Sequence, residues 1–232
     1  MLPLRDHLPT RTAPIVNYAL IAANVVVFVL QLASAESDDL ERWALVPARL
    51  LEQPLAAAPT LFTHMFMHAS VGHAAGNMLY LWIFGDNVED ALGHWRYAVF
   101  YVACGLVAAV AQVAVSPYAT VPMLGASGAI AGVLAAYAVL YPRSAITVVN
   151  PIPLLWIFWG LFLSFPAWLV ILEFFVVNLW HALQPSGGAG GVAFAAHVGG
   201  FVAGLVLLPL LRAREPVEYD PWERWVRPRR HA

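Results

Sequence analysis

One serine, two histidines and an asparagine, set in otherwise apolar sequence, have the types and spacing for acyl-transfer chemistry: His73, Asn77, Ser127 and His197. Ser127 lies about five residues past Pro122 and His197 about six past Gly191. At 1.5 Å per helical residue, both sit roughly 8 to 9 Å below their loop ends. Gly125-Ala126-Ser127-Gly128 with Gly132, and Gly199-Gly200 with Gly204, are small-residue patterns that let two helices approach closely. If those helices touch, the Ser127 hydroxyl and the His197 imidazole reach each other as nucleophile and general base. His73 and Asn77 are four apart, so they share one helix face and can aim two donors at one developing oxyanion. Ser127 adds its own backbone N–H, because the first turn of a helix leaves such groups unpaired and positive. The same residues also fit a plain packing interface with an incidental serine, and interhelical hydrogen bonds from His73 and Asn77.

Other chemistries fit less well. His64 and His68 share a face and might join His73 around a metal, but no His-Glu-x-x-His motif or nearby acid accompanies them. They are better read as hydrogen-bonding to the first loop. Asp86 stands near the inner end of its span with Glu89 and Asp90, without an intramembrane Asp partner, and reads as a capping or pairing group. Glu173, midway along a span, is either a proton-relay group, which would suit a small proton-coupled transporter, or a protonated residue packed against another helix. No metal and no cofactor are expected.

The elements that must position these residues are membrane helices. Of 232 residues, 61% are hydrophobic and only 11% charged, with net charge -2 and mean hydropathy +0.70. A soluble domain carries about a quarter charged residues, and a nucleic-acid-binding chain more or a basic excess. At about 20 residues per crossing, the length allows roughly six spans. The expected fold is an all-α polytopic bundle, with a segment over 1–14, a membrane domain over 15–211 and an Arg-rich tail over 212–232. Cys104 is the only cysteine, which excludes an intramolecular disulfide and a Cys-based zinc cluster.

The spans are read as Ile15 to Ala33, Thr63 to Leu92, Trp95 to Val115, Gly125 to Tyr141, Pro166 to Leu183 and Val192 to Leu211. Ala33-Ser34-Ala35 resembles a signal-peptidase site, but the first run is too long for a signal core and more spans follow, so it is retained. Glu36 to Pro59 is a long first loop, with Leu40, Trp43, Val46 and Leu50 at the spacing of an interfacial helix that Pro47 limits to short pieces. Prolines interrupt Ile146 to Ser164, read as an interfacial hairpin. A Gly-rich loop, Ser186 to Gly191, precedes the last span. Six spans leave ten arginines on one side and two on the other, placing both termini in the cytoplasm; a seventh would erase that asymmetry.

The chain resembles the rhomboid intramembrane serine proteases, of the compact bacterial six-span kind. The likeness covers nearly the whole length. It is carried by Trp43-Ala44-Leu45-Val46-Pro47, by His64 and His68 leading to His73 and Asn77, by Gly85-Asp86-Asn87-Val88-Glu89, by Gly125-Ala126-Ser127-Gly128, and by Ala196-His197-Val198-Gly199-Gly200 with Gly204. The resemblance implies Ser127 as nucleophile, His197 as general base, and His73, Asn77 and the Ser127 N–H as oxyanion donors, in a dyad without a third carboxylate. It implies transmembrane proteins as substrates, with the lipid bilayer as setting, no nucleic acid and no metal, in a bacterial cytoplasmic membrane. The fifth span and the Gly-rich loop would gate the site. Members often carry an aromatic residue one turn after the serine, beneath the histidine; here Ala131 stands there, and Glu173 is unexpected in the gate helix. Two other readings are a catalytically silent rhomboid-like binding or chaperone protein and the small transporter.

Overall fold

A computed structural model describes residues 1–34, 42–150, 152–153, 156, 160–183 and 193–215. Leu40, the Gly-rich loop Ser186 to Gly191 and the tail beyond Glu215 lie outside them. The helices are α1 (Ile15–Ala33), α2 (Pro47–Glu52), α3 (Pro54–Ala57), α4 (Thr60–Thr63), α5 (Val71–Tyr80), α6 (Asp86–Leu92), α7 (His94–Val115), α8 (Ser127–Leu140), α9 (Ala167–Ala182) and α10 (Phe194–Leu211). A π turn over Leu81–Gly85 joins α5 to α6 as one long helix. Helices α1, α7 and α10 are long and apolar enough to cross a membrane; α8 and α9 are apolar but shorter. At 14 residues α8 is about 21 Å long, short of the roughly 30 Å hydrocarbon layer.

Helix α8 is the centre of the bundle. Every residue from Gly128 to Tyr137 is buried, as expected of a helix that is apolar all round. Its glycines bring α10 into backbone contact: a Cβ on Gly200 would lie 1.9 Å from the Gly128 carbonyl oxygen, and one on Gly204 2.4 Å from that of Gly132. Gly132 in turn makes room for Cys104 of α7, whose sulfur would lie 2.4 Å from an added Cβ; the lone cysteine is a buried core residue. With no aqueous driving force between helices in lipid, such close backbone packing is the main source of association. The outward faces stay apolar: Val26, Val29, Leu30 and Leu32 of α1 and Val206 and Leu210 of α10 are exposed.

The second span begins later than hydropathy suggests. Residues Thr60 to Phe66 form α4 and a 3-10 turn, and the helix proper starts at Val71, where the extended Ser70 accepts a hydrogen bond from the His73 N–H (3.1 Å). A serine cap satisfies one orphan N–H at that point and fixes the start. Pro47 and Pro54 each open a short helix, α2 and α3, in the first loop, in line with the limit that proline sets there.

The Ile146 to Ser164 segment turns back on itself as strands. β2 (Ala145–Val149) and β3 (Phe162–Pro166) pair antiparallel, with Ile146 opposite Phe165 and Thr147 opposite Ser164. The β-branched run Ile146-Thr147-Val148-Val149 suits a strand. A third strand comes from the chain's first residues: β1 (Leu2–Arg5) pairs with β2 in the order β1-β2-β3. The acids of α6 then hold the following segment. Buried Glu89 accepts from the N–H groups of Val16 (3.0 Å) and Asn17 (2.7 Å), capping α1, and Asp90 accepts from Arg11 Nε (2.8 Å) and Thr12 Oγ1 (2.9 Å).

Asp6 follows β1, and the Tyr137 hydroxyl at the far end of α8 donates to it (2.7 Å). Burial pushes its carboxyl up from 3.8 to about 6, against the Tyr137 hydrogen bond, which acts the other way. An acid raised in the fold keeps its proton there longer than in the unfolded chain. Its contribution is therefore favourable at low pH and is lost as pH rises from about 4 towards 6. The melting temperature of the wild type relative to Asp6→Asn should fall across that window in detergent; a difference that stays constant with pH would contradict it.

Candidate active site

Ser127 opens α8 and His197 lies in the first turn of α10, so the glycine contacts just below them set the distance between the two. The Ser127 hydroxyl and His197 Nε2 are 2.7 Å apart. Gly128, adjacent to Ser127, faces Ala108 of α7 and Ala196 of α10, whose carbonyl oxygen would lie 3.8 Å from an added Cβ. The pair is thus held by helix packing on both sides.

The His197 ring is held by groups that its neighbourhood in sequence does not reveal. Nδ1 is hydrogen-bonded to Oδ1 of Asn178, a buried residue of α9. Phe174, one turn earlier on α9, has its ring centroid 6.0 Å from that of His197, and Phe194 packs edge-on at 6.3 Å. Ala131 is fully buried and leaves no aromatic support from α8; the aromatic flanks come from α9 and α10 instead. The available signal was an amide in a helix whose other polar side chains are Glu173 and His181.

His73 and Asn77 lie one turn apart on α5, facing Gly125. Gly125 has φ +127°, a conformation that side-chain-bearing residues rarely adopt, and a Cβ there would lie 2.8 Å from His73 Nε2 and 3.6 Å from Asn77 Nδ2. Only glycine lets the loop before Ser127 run this close to both donors. The Ala69 N–H donates to His73 Nδ1 at 3.5 Å, which leaves the proton of the neutral ring on Nε2, on the Gly125 side. Among the described residues, the buried Asn77 Nδ2 has no hydrogen-bond partner. A buried, unpaired amide donor is costly to keep unless an acceptor uses it. Asn77, His73, Ser127, His197 and Phe174 share the lining of a cavity of about 640 Å³.

The other polar groups are placed elsewhere. His64 Nδ1 donates to the Thr60 carbonyl (2.9 Å), and its own carbonyl accepts from the Gly125 N–H (2.8 Å), so it braces the loop before Ser127. The His68 ring does not hydrogen-bond to the first loop: among the described residues both its nitrogens are buried without a partner, and the ring packs edge-on to Phe28 of α1 at 6.0 Å. It is the His68 backbone that bonds to Gln31 of α1, its N–H donating to Oε1 (3.1 Å) and its carbonyl accepting from Nε2 (2.7 Å). Asp86 accepts from the Asn87 N–H (2.8 Å). The Glu173 carboxyl oxygens lie 3.0 and 3.1 Å from the Met1 nitrogen. Among the described residues no group of three or more His, Cys, Asp or Glu could hold a metal ion.

Residues 57–214 match the Rhomboid domain family. The chain is 35% identical to "Rhomboid protease GluP" of Bacillus subtilis (strain 168) over 126 residues, 53% of this chain and 24% of that protein. It is 33% identical to "Presenilin-associated rhomboid-like protein, mitochondrial" of Homo sapiens over 135 residues, 56% of this chain and 34% of that one. With "Rhomboid protein 1, mitochondrial" of Saccharomyces cerevisiae the identity is 27% over 194 residues, 82% of this chain and 51% of that one. The matched region thus spans from about a quarter to about half the length of these relatives.

Proposed function

From the premise that the chain belongs to the rhomboid family, and so is an integral membrane protein, we propose that it is a serine endopeptidase that hydrolyses peptide bonds in or near transmembrane segments of other membrane proteins. The observation that carries this reading is the 2.7 Å contact between Ser127 Oγ and His197 Nε2 in a cavity shared with the unpaired Asn77 amide. In the reaction, Ser127 Oγ attacks the scissile carbonyl carbon as its proton passes to His197 Nε2. The carbonyl oxygen becomes an oxyanion, met by Asn77 Nδ2, His73 Nε2 and the Ser127 N–H. The C–N bond then breaks, with His197 returning the proton to the leaving amine. Water, deprotonated by the same imidazole, hydrolyses the acyl-serine. No cofactor or metal enters any step.

The same reading takes six spans, both termini in the cytoplasm, and the division into 1–14, 15–211 and 212–232. The ten-to-two arginine asymmetry supports it, as does the pairing of Ala145–Val149 with Phe162–Pro166 as antiparallel strands between α8 and α9. A bacterial cytoplasmic membrane is the proposed location. A peptide bond in an intact substrate helix is hidden, so the substrate unwinds into the cavity, where polar side chains replace its lost hydrogen bonds.

A fluorophosphonate probe tests the reading in detergent. It is expected to label the wild type at Ser127, with Ser127→Ala unlabelled and a metal chelator without effect. Wild-type protein that is folded but never labelled would overturn it.

A further inference from the structure

We propose that Asn178 is the positioning residue for the general base, making the working unit Ser127–His197–Asn178 with its third member on a different helix. This rests on the serine-protease reading and deepens it. Asn178 is 7% exposed, inside α9, five residues beyond Glu173. Both ends of its side-chain amide are engaged. Nδ2 donates to the Phe174 carbonyl one turn back at 2.8 Å, and a carbonyl can only accept. The amide is thereby oriented, and the atom left facing His197 Nδ1 is the Oδ1 acceptor.

The consequence reaches the reacting atoms. An acceptor opposite Nδ1 requires a proton on Nδ1, so Nε2 of the neutral ring carries the lone pair that takes the Ser127 proton. The opposite tautomer would present N–H to the serine hydroxyl and could not act as a base. A neutral amide does for the imidazole what a carboxylate does in Ser-His-Asp enzymes and an asparagine in Cys-His-Asn enzymes: it selects tautomer and ring angle. Phe174 serves twice, as the carbonyl that orients Asn178 and as a ring that flanks His197 at 6.0 Å. The bond also joins α9 to the glycine-packed pair α8 and α10, so the angle of the base depends on where α9 stands.

The test compares wild type, Ser127→Ala, Asn178→Ala and Asn178→Asp in one detergent, by probe labelling and by cleavage of a transmembrane substrate. Labelling of the wild type but not of Ser127→Ala establishes the protease reading on its own. Given that, Asn178→Ala is expected to lower kcat and the labelling rate on the order of 10- to 100-fold with KM nearly unchanged. Asn178→Asp, which keeps an acceptor in place, is expected to recover at least a tenth of the wild-type rate. A folded Asn178→Ala that labels at the wild-type rate, or a loss confined to KM, overturns the proposal and leaves the dyad standing. If Asn178→Ala does not fold, Asn178→Asp decides: labelling reduced as far as in His197→Ala would overturn it.

Discussion

Ser127→Ala and His197→Ala are each expected to lower cleavage of a transmembrane substrate by on the order of 10⁴-fold or more, with nearly unchanged thermal stability. The two act as a unit. Without the hydroxyl there is no acyl-enzyme; without the imidazole the hydroxyl loses the base it touches among the described residues, His197 Nε2, and keeps its proton. The double variant should therefore be little worse than either single one, because removing the second member of a broken pair removes nothing further. Neither change threatens the fold, since the alanines leave the glycine contacts of α8 and α10 in place. Asn77→Ala belongs to the same series with a smaller loss, on the order of 10²- to 10³-fold, because other oxyanion donors remain. Cleavage by Ser127→Ala equal to wild type would remove the serine mechanism.

The features legible in the sequence are those with a local cause. Ile15–Ala33 is readable to the residue because a mostly apolar run, free of charge, is bounded by Pro14 and by the polar stretch after Ser34. Ser127 and His197 could be placed level by counting from Pro122 and Gly191, because helical rise is constant. The second span's start was misplaced, at Thr63 instead of Val71, because hydropathy continues smoothly through His64 to Ser70 while the backbone does not. Ser70 was the overlooked signal. The sheet is harder: β1 pairs with a strand more than a hundred residues away, and periodicity gives no partner. Asn178 was missed for a similar reason. An amide in an apolar helix announces a partner, but which residue it meets depends on the rotation of α9 against α10. His68 shows the same limit, its ring packing edge-on to Phe28 of α1.

Gly200→Ala should cost about as much activity as loss of an oxyanion donor, on the order of 10²-fold, although it touches no reacting atom. Its new methyl carbon would sit 1.9 Å from the Gly128 carbonyl oxygen, whereas ordinary contact needs more than about 3 Å. The obstacle is backbone, so no side chain can rotate away; α8 and α10 must separate by on the order of 1 Å. Gly128 is the residue after Ser127 and Gly200 is three past His197, so the separation falls on the turn that carries the pair. A displacement of that size costs about 10²-fold in a reaction that depends on a nucleophile and base in contact. Lost packing should also lower the melting temperature, as overpacked sites lose about 1 to 3 kcal/mol. Gly76→Ala is the control for stability alone, because Gly76 lines the cavity: nothing lies within 4 Å of its Cβ position, and alanine there favours the helix by about 1 kcal/mol. The probe separates misalignment from unfolding, because Gly200→Ala keeps both Ser127 and His197. Assayed below its own melting temperature, it should be folded yet label at least ~100-fold more slowly than wild type. Wild-type labelling by folded Gly200→Ala would mean that the distance between base and nucleophile is set elsewhere than at this contact.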